Sequence, residues 1–343
     1  MNPILAMTLR PILRRRNAKQ LAIPAPQGIR AGQFVTIGGI EQWITIRGQD
    51  RDNPLLLIVH GGPGSPYTPF NSWLAAWEED FTIVQWEQRG AGKTFKRNGA
   101  DGCGRLTIER LAQDGVEVAE YVLTRLGKPK LILLGSSIGS IIGAVMAKQR
   151  PDLFYAYIGT EQNGLPDAFN RPYAMTKEAL ARAGDKKGLA FLAAMGSDRT
   201  RWTRQQFETM NKLAVKVSSK LSGVPNMVYD LMLPALMFDP SLTMSDIRTI
   251  QRGMDFSMGQ LFEELTSFDL GRYGYDFAVP FFIFQGESDI LTPVDSAKDY
   301  FDRLQAPHKE FVLIKHAGHL AEFANPAQFL QELRDRVHPL AGY

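Results

Sequence analysis

Cysteine is almost absent from this chain. Cys103 stands alone, so no disulfide can form within the chain, and a lone thiol fits a reducing compartment, with the cytoplasm as the expected location. The bland reading of Cys103 is a loop thiol. No cluster of Cys and His has ligand spacing, so no metal and no other cofactor is expected. The net charge is only +3 and no basic stripe appears, which argues against a nucleic-acid partner. Internal repeats and low-complexity tracts are missing. Long apolar runs are missing too. Met1 to Leu13 is fairly apolar, but Arg10 and Pro11 interrupt it and Arg14-Arg15-Arg16 follow. A secretory signal would place its positive charge first, and the stretch is too short to span a bilayer, so no transmembrane segment is expected. This N-terminal extension, residues 1–27, reads as a helix docked on the body or on a second subunit of a homo-oligomer. The alternative is a weak interfacial contact with anionic lipid.

What is present is a core. The chain has 343 residues, 44% hydrophobic and 22% charged, enough to bury a large interior. Strand-like runs appear at Gln33–Ile37, Gln42–Ile46, Leu55–Val59, Phe81–Trp86, Lys130–Leu134, Phe154–Gly159, Pro280–Gln285 and Glu310–Ile314. Several are continuously apolar, as buried parallel strands are. Helical patterns fall between them, as in Ile108–Leu126 with Ile108, Leu111, Val118 and Val122 near one face. Alternating strands and helices predict an α/β fold with a mostly parallel, eight-stranded sheet flanked by helices. From about Leu165 to Gly271 the rhythm breaks into helical patterning alone. The expected organisation is a core of residues 28–164 and 272–343 with an inserted helical cap at 165–271.

Three features carry chemistry. Gly135-Ser136-Ser137-Ile138-Gly139 is a G-x-S-x-G pattern between a strand and a helical stretch, the context of a nucleophile elbow. A side chain at either glycine would collide with the neighbouring strand or helix. The alternative for Ser137 is an ordinary loop serine before a helix. His60-Gly61-Gly62-Pro63-Gly64 follows an apolar strand; a glycine-rich loop there lets backbone N–H groups approach an oxyanion. Gly62 and Ile138 are the candidate donors, with Gly61 close behind as a substrate-binding position; the plain alternative is a Gly-Pro turn. Third is chain order: Ser137, then Asp289 just past one strand, then His319 just past the next. His319 would take the proton of Ser137 and Asp289 would orient the imidazole. His316 competes with His319 but is nearer the strand end and is expected to point into packing. Asp295 and Asp299 compete with Asp289 but fall in what reads as the following helix.

These residues resemble the proline iminopeptidase (prolyl aminopeptidase) branch of the α/β-hydrolases. HGGPG at His60–Gly64 is similar to that branch's oxyanion loop, Glu87-Gln88-Arg89-Gly90 to its D-Q-R-G segment, and the elbow Gly135–Ser140 to its G-G-S-W-G-S. The likeness covers roughly Phe34–Tyr157 and Val279–Val337. Ile138 replaces the branch's tryptophan after the nucleophile, and Glu87 replaces its aspartate. Gly90-Ala91-Gly92-Lys93-Thr94 looks like the end of a phosphate-binding loop, but Glu87 occupies the position where that pattern needs glycine. Arg89 is instead expected to pair with a carboxylate.

The resemblance implies a serine hydrolase that releases an N-terminal residue from a short peptide. Such an enzyme must pair the substrate ammonium with a carboxylate. Glu161, at a strand end, is the candidate, the alternative being a surface charge or salt-bridge partner; Glu263 and Glu264 read as surface charges or salt-bridge partners. Phe70, Trp73, Trp77 and Trp86 either line an apolar pocket, Trp86 being the substrate-binding candidate among them, or fill the core. Two alternatives stand beside this reading: a carboxylesterase acting on small apolar esters, and a non-catalytic binding protein on the same fold.

Overall fold

The computed structural model describes residues 3–23, 26–165 and 170–342, with side chains of the first helix given from residue 8 onward. Residues 1, 2, 24 and 25 of the N-terminal extension and 166–169 of the expected cap lie outside the described residues.

The sheet is built from β1 (Ile29–Ile37), β2 (Ile40–Gly48), β3 (Leu55–Val59), β4 (Thr82–Glu87), β5 (Leu131–Ser136), β6 (Phe154–Thr160), β7 (Phe281–Gly286) and β8 (Lys309–Ile314). Their order across it is β1-β2-β4-β3-β5-β6-β7-β8. β2 runs antiparallel to both neighbours, and the rest pair in parallel. The central strands β3 to β7 are buried along their whole length apart from Tyr155 in β6, which is why they read as continuous apolar runs. β1 is an edge strand of alternating exposure, so its first half carried no apolar run to detect.

Helices cover both faces. α2 (Gly92–Cys103), α3 (Ile108–Leu126) and α4 (Ile138–Gln149) precede β6. α3 starts at Thr107, whose hydroxyl accepts the Arg110 N–H, and ends at left-handed Gly127. Its predicted stripe of Ile108, Leu111, Val118 and Val122 is buried against the sheet side. Cys103 is a correction: it is the buried last residue of α2, not a loop thiol.

Between β6 and β7 the described chain is helical: α5 (Asn170–Arg182), α6 (Lys186–Met195), α7 (Arg204–Ser222), a π-turn at Met227–Met232, α8 (Leu233–Phe238) and α9 (Met244–Ser267). α5, α6 and α7 hold a small core of their own around Tyr173, Leu192, Trp202 and Met210. α9 is fastened to the sheet edge, where Ser257 Oγ donates to the Gly90 carbonyl at 3.1 Å. After β7 come α10 (Val294–Arg303), α11 (Ala321–Ala324) and α12 (Pro326–Arg336).

The first helix, α1 (Pro3–Gln20), docks on this insertion. Arg10 donates to the carbonyls of Met237 and Leu242, Arg14 to Pro240 and Asn17 to Phe238, while Leu13 packs on the Met237–Phe238 cluster. Among the described residues no helix is long and apolar enough to cross a membrane.

Candidate active site

The register of β5 on β6 pairs Ser136 with Thr160, so Ser137 and Glu161 emerge side by side at the strand ends. β7 pairs Gly286 with Ile314, which brings the Asp289 and His319 turns to the same edge. Parallel strands converge there by construction. The backbone records the crowding. Among the described residues, the non-glycine positions with positive φ are Ser137 (55°), Glu161 (49°), His316 (54°) and Leu320 (65°), all on this edge. Strained backbone persists only where surroundings fix it, and it gathers at functional sites.

Ser137 sits between β5 and α4, its N–H donating to the Thr160 carbonyl at 2.9 Å and its carbonyl accepting from Ser140 Oγ at 2.6 Å. The flanking glycines are needed for contact. A Cβ on Gly135 would stand 2.4 Å from Gly139 O, and one on Gly139 would stand 2.1 Å from Val59 O. Ser137 Oγ lies 3.0 Å from His319 Nε2, and His319 Nδ1 lies 2.8 Å from Asp289 Oδ2. Asp289 is fully enclosed; its other oxygen accepts the N–H groups of Leu291 and Thr292, and Thr292 Oγ1 donates to Oδ2. Burial alone would lower the His319 pKa. The charge and hydrogen bond of Asp289, with the charge of Glu161 behind them, outweigh burial and raise it above 6.5. This chain of three can draw a proton from the serine hydroxyl onto an imidazole already set in the tautomer that accepts it.

Ile138 is the first residue of α4, so its N–H points out of the helix end. Gly61 is packed against Ser137: a Cβ there would stand 2.8 Å from Ser137 Cβ and 3.4 Å from Ile138 N. Gly62 follows with φ of 120°. His60 braces this loop. Its Nε2 accepts the Gln88 N–H at 3.2 Å, so Nδ1 carries the proton and donates to Gly61 O at 2.9 Å. Burial pushes the His60 pKa down to about 4, so the imidazole stays neutral and the brace holds at neutral pH.

The Glu87–Gly90 segment is held by buried ions. Arg89 pairs with Asp114 through Nε at 2.6 Å and also donates to the carbonyls of Gly38 and Cys103. Glu87 accepts from Thr68 Oγ1 and from the Lys93 N–H, so a carboxylate fills the start of α2, where a phosphate-binding loop would receive phosphate.

Several expected site residues are placed otherwise. Trp86 is a correction: it is 1% exposed, its indole N–H donates to Gln42 Oε1, and its ring abuts Gly115 of α3 in the core. The side chains of β4 alternate faces, and this one points at the helices. Phe70 stacks on Phe323 and Trp77 on Phe329, again as core, while Trp73 packs half-buried against the same cluster. Glu161 reaches the site but not as a free carboxylate. It is fully buried and accepts from Ser136, Thr160 and Ala321, which corrects its reading as a partner for a substrate amine. His316 is exposed rather than packed, and its N–H donates to Glu287. Glu264 is not a bare surface charge, since it accepts the Ile108 N–H at the start of α3. Asp295 lies exposed in the first turn of α10, and Asp299 pairs with Arg171.

Two spaces adjoin the site. Val215, Val224, Met227, Leu291 and His319 surround a void of about 20 Å³, room for little more than a water. Beyond the Asp289 turn, α5, α7 and α10 border a cavity of about 350 Å³ that carries Glu178, Glu287 and Asp295 against Arg182. Among the described residues no group of His, Cys, Asp and Glu is arranged to hold a metal ion.

The eight-stranded sheet, the elbow at its edge and the helical insertion before β7 define an α/β hydrolase. A family profile described as "alpha/beta hydrolase fold" matches residues 54–326, and the chain belongs to that family. It is 27% identical over 314 residues to a protein named "Probable aminopeptidase YbaC" of Bacillus subtilis, covering 91% of this chain and 97% of that one. Among solved structures it resembles a proline iminopeptidase-related protein of Thermus thermophilus (TM-score 0.59, 20% identity, 92% of this chain and 99% of that one). It also resembles a membrane phospholipase A described as a bacterial virulence factor (TM-score 0.63, 16% identity, 99% and 94%). At such identities these structural likenesses speak for the fold alone.

Proposed function

We propose that this hydrolase is a serine hydrolase that works through an acyl-enzyme. Ser137 attacks the substrate carbonyl as His319 accepts its proton, and Asp289 holds the imidazole and balances the imidazolium. The N–H groups of Ile138 and Gly62 receive the oxyanion. His319 then returns the proton to the leaving group, and a water activated by the same imidazole releases the acyl group. The observation that carries this reading is the unbroken contact from Ser137 Oγ through His319 to Asp289.

The substrate we favour is a short peptide from which an N-terminal residue, proline foremost, is removed. The similarity to the Bacillus aminopeptidase and the HGGPG segment support it. With Glu161 engaged elsewhere and Glu287 held by His316 N–H and Lys315, Glu178 and Asp295 of the neighbouring cavity are the carboxylates we assign to the ammonium. The helices of residues 165–271 then act as the cap that selects substrate over a core of 28–164 and 272–343. A buried lone thiol suits the cytoplasm. The second reading is a carboxylesterase on small apolar esters, favoured by the apolar Val215, Val224, Met227 and Leu291 beside His319.

The test is a parallel assay of prolyl, alanyl and leucyl nitroanilides and of nitrophenyl esters of increasing chain length, with fluorophosphonate labelling of Ser137. Anilide hydrolysis led by proline supports the aminopeptidase. Ester hydrolysis without any anilide activity selects the esterase. Failure to label or to turn over any of them removes the serine mechanism.

A further inference from the structure

Ser136, the residue before the nucleophile, has three oxygen neighbours at 2.8 Å: Tyr67 Oη, Glu161 Oε2 and Glu322 Oε1. None of these four residues is more than 4% exposed. They arrive from the loop after β3, the ends of β5 and β6, and α11. A hydroxyl has one proton to give and two lone pairs. Ser136 can therefore donate to only one carboxylate. If both glutamates were ionised, the other would face the serine oxygen with no hydrogen between them. The cluster closes when one carboxyl keeps a proton. Glu161 Oε1 already accepts two bonds at 2.7 Å, from Thr160 Oγ1 and from Ala321 N–H, as an ionised carboxylate does. Glu322 Oε2 has no partner, as befits a neutral acid. Tyr67 and Glu322 then donate to Ser136, and Ser136 donates to Glu161.

Ala321 is two residues past His319. It opens α11 after Leu320, which has φ of 65° and no side-chain acceptor to cap the helix. Glu161 provides that acceptor from the end of β6. We propose that ionised Glu161, sharing a single proton with Glu322 across Ser136, is a positioning residue that fixes the His319 turn and adds its charge to that of Asp289 at the imidazole. This deepens the serine-hydrolase reading and rests on His319 as its base.

The charged and titratable groups facing Glu161 are Glu322, His319, Asp289 and Tyr67, with neutral His60 against the Tyr67 ring. Burial raises both glutamates, Glu161 well above its ordinary value and Glu322 to about 7, so the pair retains a proton at neutral pH, and the bare Oε2 of Glu322 is what assigns that proton to Glu322. Rising pH removes that proton, sets two buried negative charges side by side, and loosens the hold on Ala321.

The test pairs Glu161→Gln and Glu322→Gln, read by the NMR titration of the His319 ring and by pH profiles on 4-nitrophenyl acetate. Glu161→Gln is expected to lower the His319 pKa by about half a unit or more, and kcat by about tenfold, with KM little changed. A folded Glu161→Gln protein with an unmoved His319 titration overturns the proposal. If that variant does not fold, Glu322→Gln decides: its amide can donate to Ser136 but cannot ionise, so the alkaline fall in rate should vanish, and an unchanged alkaline limb overturns the proposal. The imidazole titration needs no turnover, so it separates failure of this idea from failure of the serine mechanism.

Discussion

Gly139 lies against the backbone of Val59, so that a Cβ on it would stand 2.1 Å from the Val59 carbonyl oxygen. This contact sets the distance between the first turn of α4 and the strand that feeds the HGGPG loop. Backbone cannot swing aside as a flexible side chain can. Gly139→Ala should therefore push α4 off β3, cost about 2–3 kcal/mol of stability, and slow fluorophosphonate labelling of Ser137. A urea melt and a labelling time course check both; wild-type values in both would show that the elbow tolerates the shift.

Ser137→Ala and His319→Ala should each lower hydrolysis by on the order of a thousandfold or more while leaving the melting curve near wild type. His316→Ala serves as the control. Its ring is exposed and its recorded hydrogen bond is made by the backbone, so the rate should not change. His316→Gly should stabilise the fold by about 1 kcal/mol, because φ of 54° suits glycine better than histidine. A rate loss in His316→Ala comparable with that of His319→Ala would reverse the base assignment.

The acid limb of kcat/KM follows from the raised His319 pKa. The neutral imidazole is the working base, so the rate should climb with pH through a midpoint above 6.5. Asp289→Asn removes the charge that raises the pKa. The limb should move to lower pH and the plateau should fall by roughly ten-thousandfold, the loss expected when the imidazole is no longer held in the right tautomer. A limb that stays in place would mean that Asp289 does not face the titrating group.

Much of this was legible in the sequence because the central strands are buried on both faces and write continuous apolar runs. The edge strand β1 is legible only from Gln33, since its first half alternates in exposure. α2 escaped because Gly99 breaks its helical backbone and its residues are mostly polar, which left Cys103 looking like loop. The spacing of Ser137, Asp289 and His319 could be read because each closely follows an apolar strand. The Ser136 cluster could not. Glu161 is legible as a carboxylate at a strand end, but Tyr67 and Glu322 meet it only after three separate segments converge, and nothing in the local patterns of those two marks them. Trp86 misled because alternation along a fully buried strand leaves no sequence trace of which face a side chain takes.

Arg89 should prove structural rather than substrate-binding. It is 6% exposed and spans Asp114, Gly38 and Cys103, tying three segments beneath the loop. Arg89→Met leaves Asp114 buried with Arg110 and Gln42 as remaining partners and strands two carbonyls. A loss of about 3–5 kcal/mol is expected in denaturant titration. Arg89→Lys should recover little, because one ammonium cannot reproduce the fork. A melt unchanged by Arg89→Met would mean that the loop is held by other contacts.

The void beside His319 sets the last expectation. At about 20 Å³ it admits a water but no acyl chain, so α7 with Val215, the loop after it with Val224 and the π-turn with Met227 must give way when substrate enters. Val224 already lies 3.4 Å from where a Cβ of Gly318 would stand, next to the base itself. Val224→Ala and Met227→Ala open room on that side without touching Ser137, His319 or Asp289. Each should raise kcat/KM for nitrophenyl butyrate relative to the acetate by about tenfold, the discrimination a methylene or two commands in an apolar pocket. The acid limb should stay where it is, since no charge near His319 is altered. An unchanged ratio in both variants would show that the acyl chain lies elsewhere, and the cavity over the Asp289 turn would then be the place to probe, beginning with Met175 and Leu221.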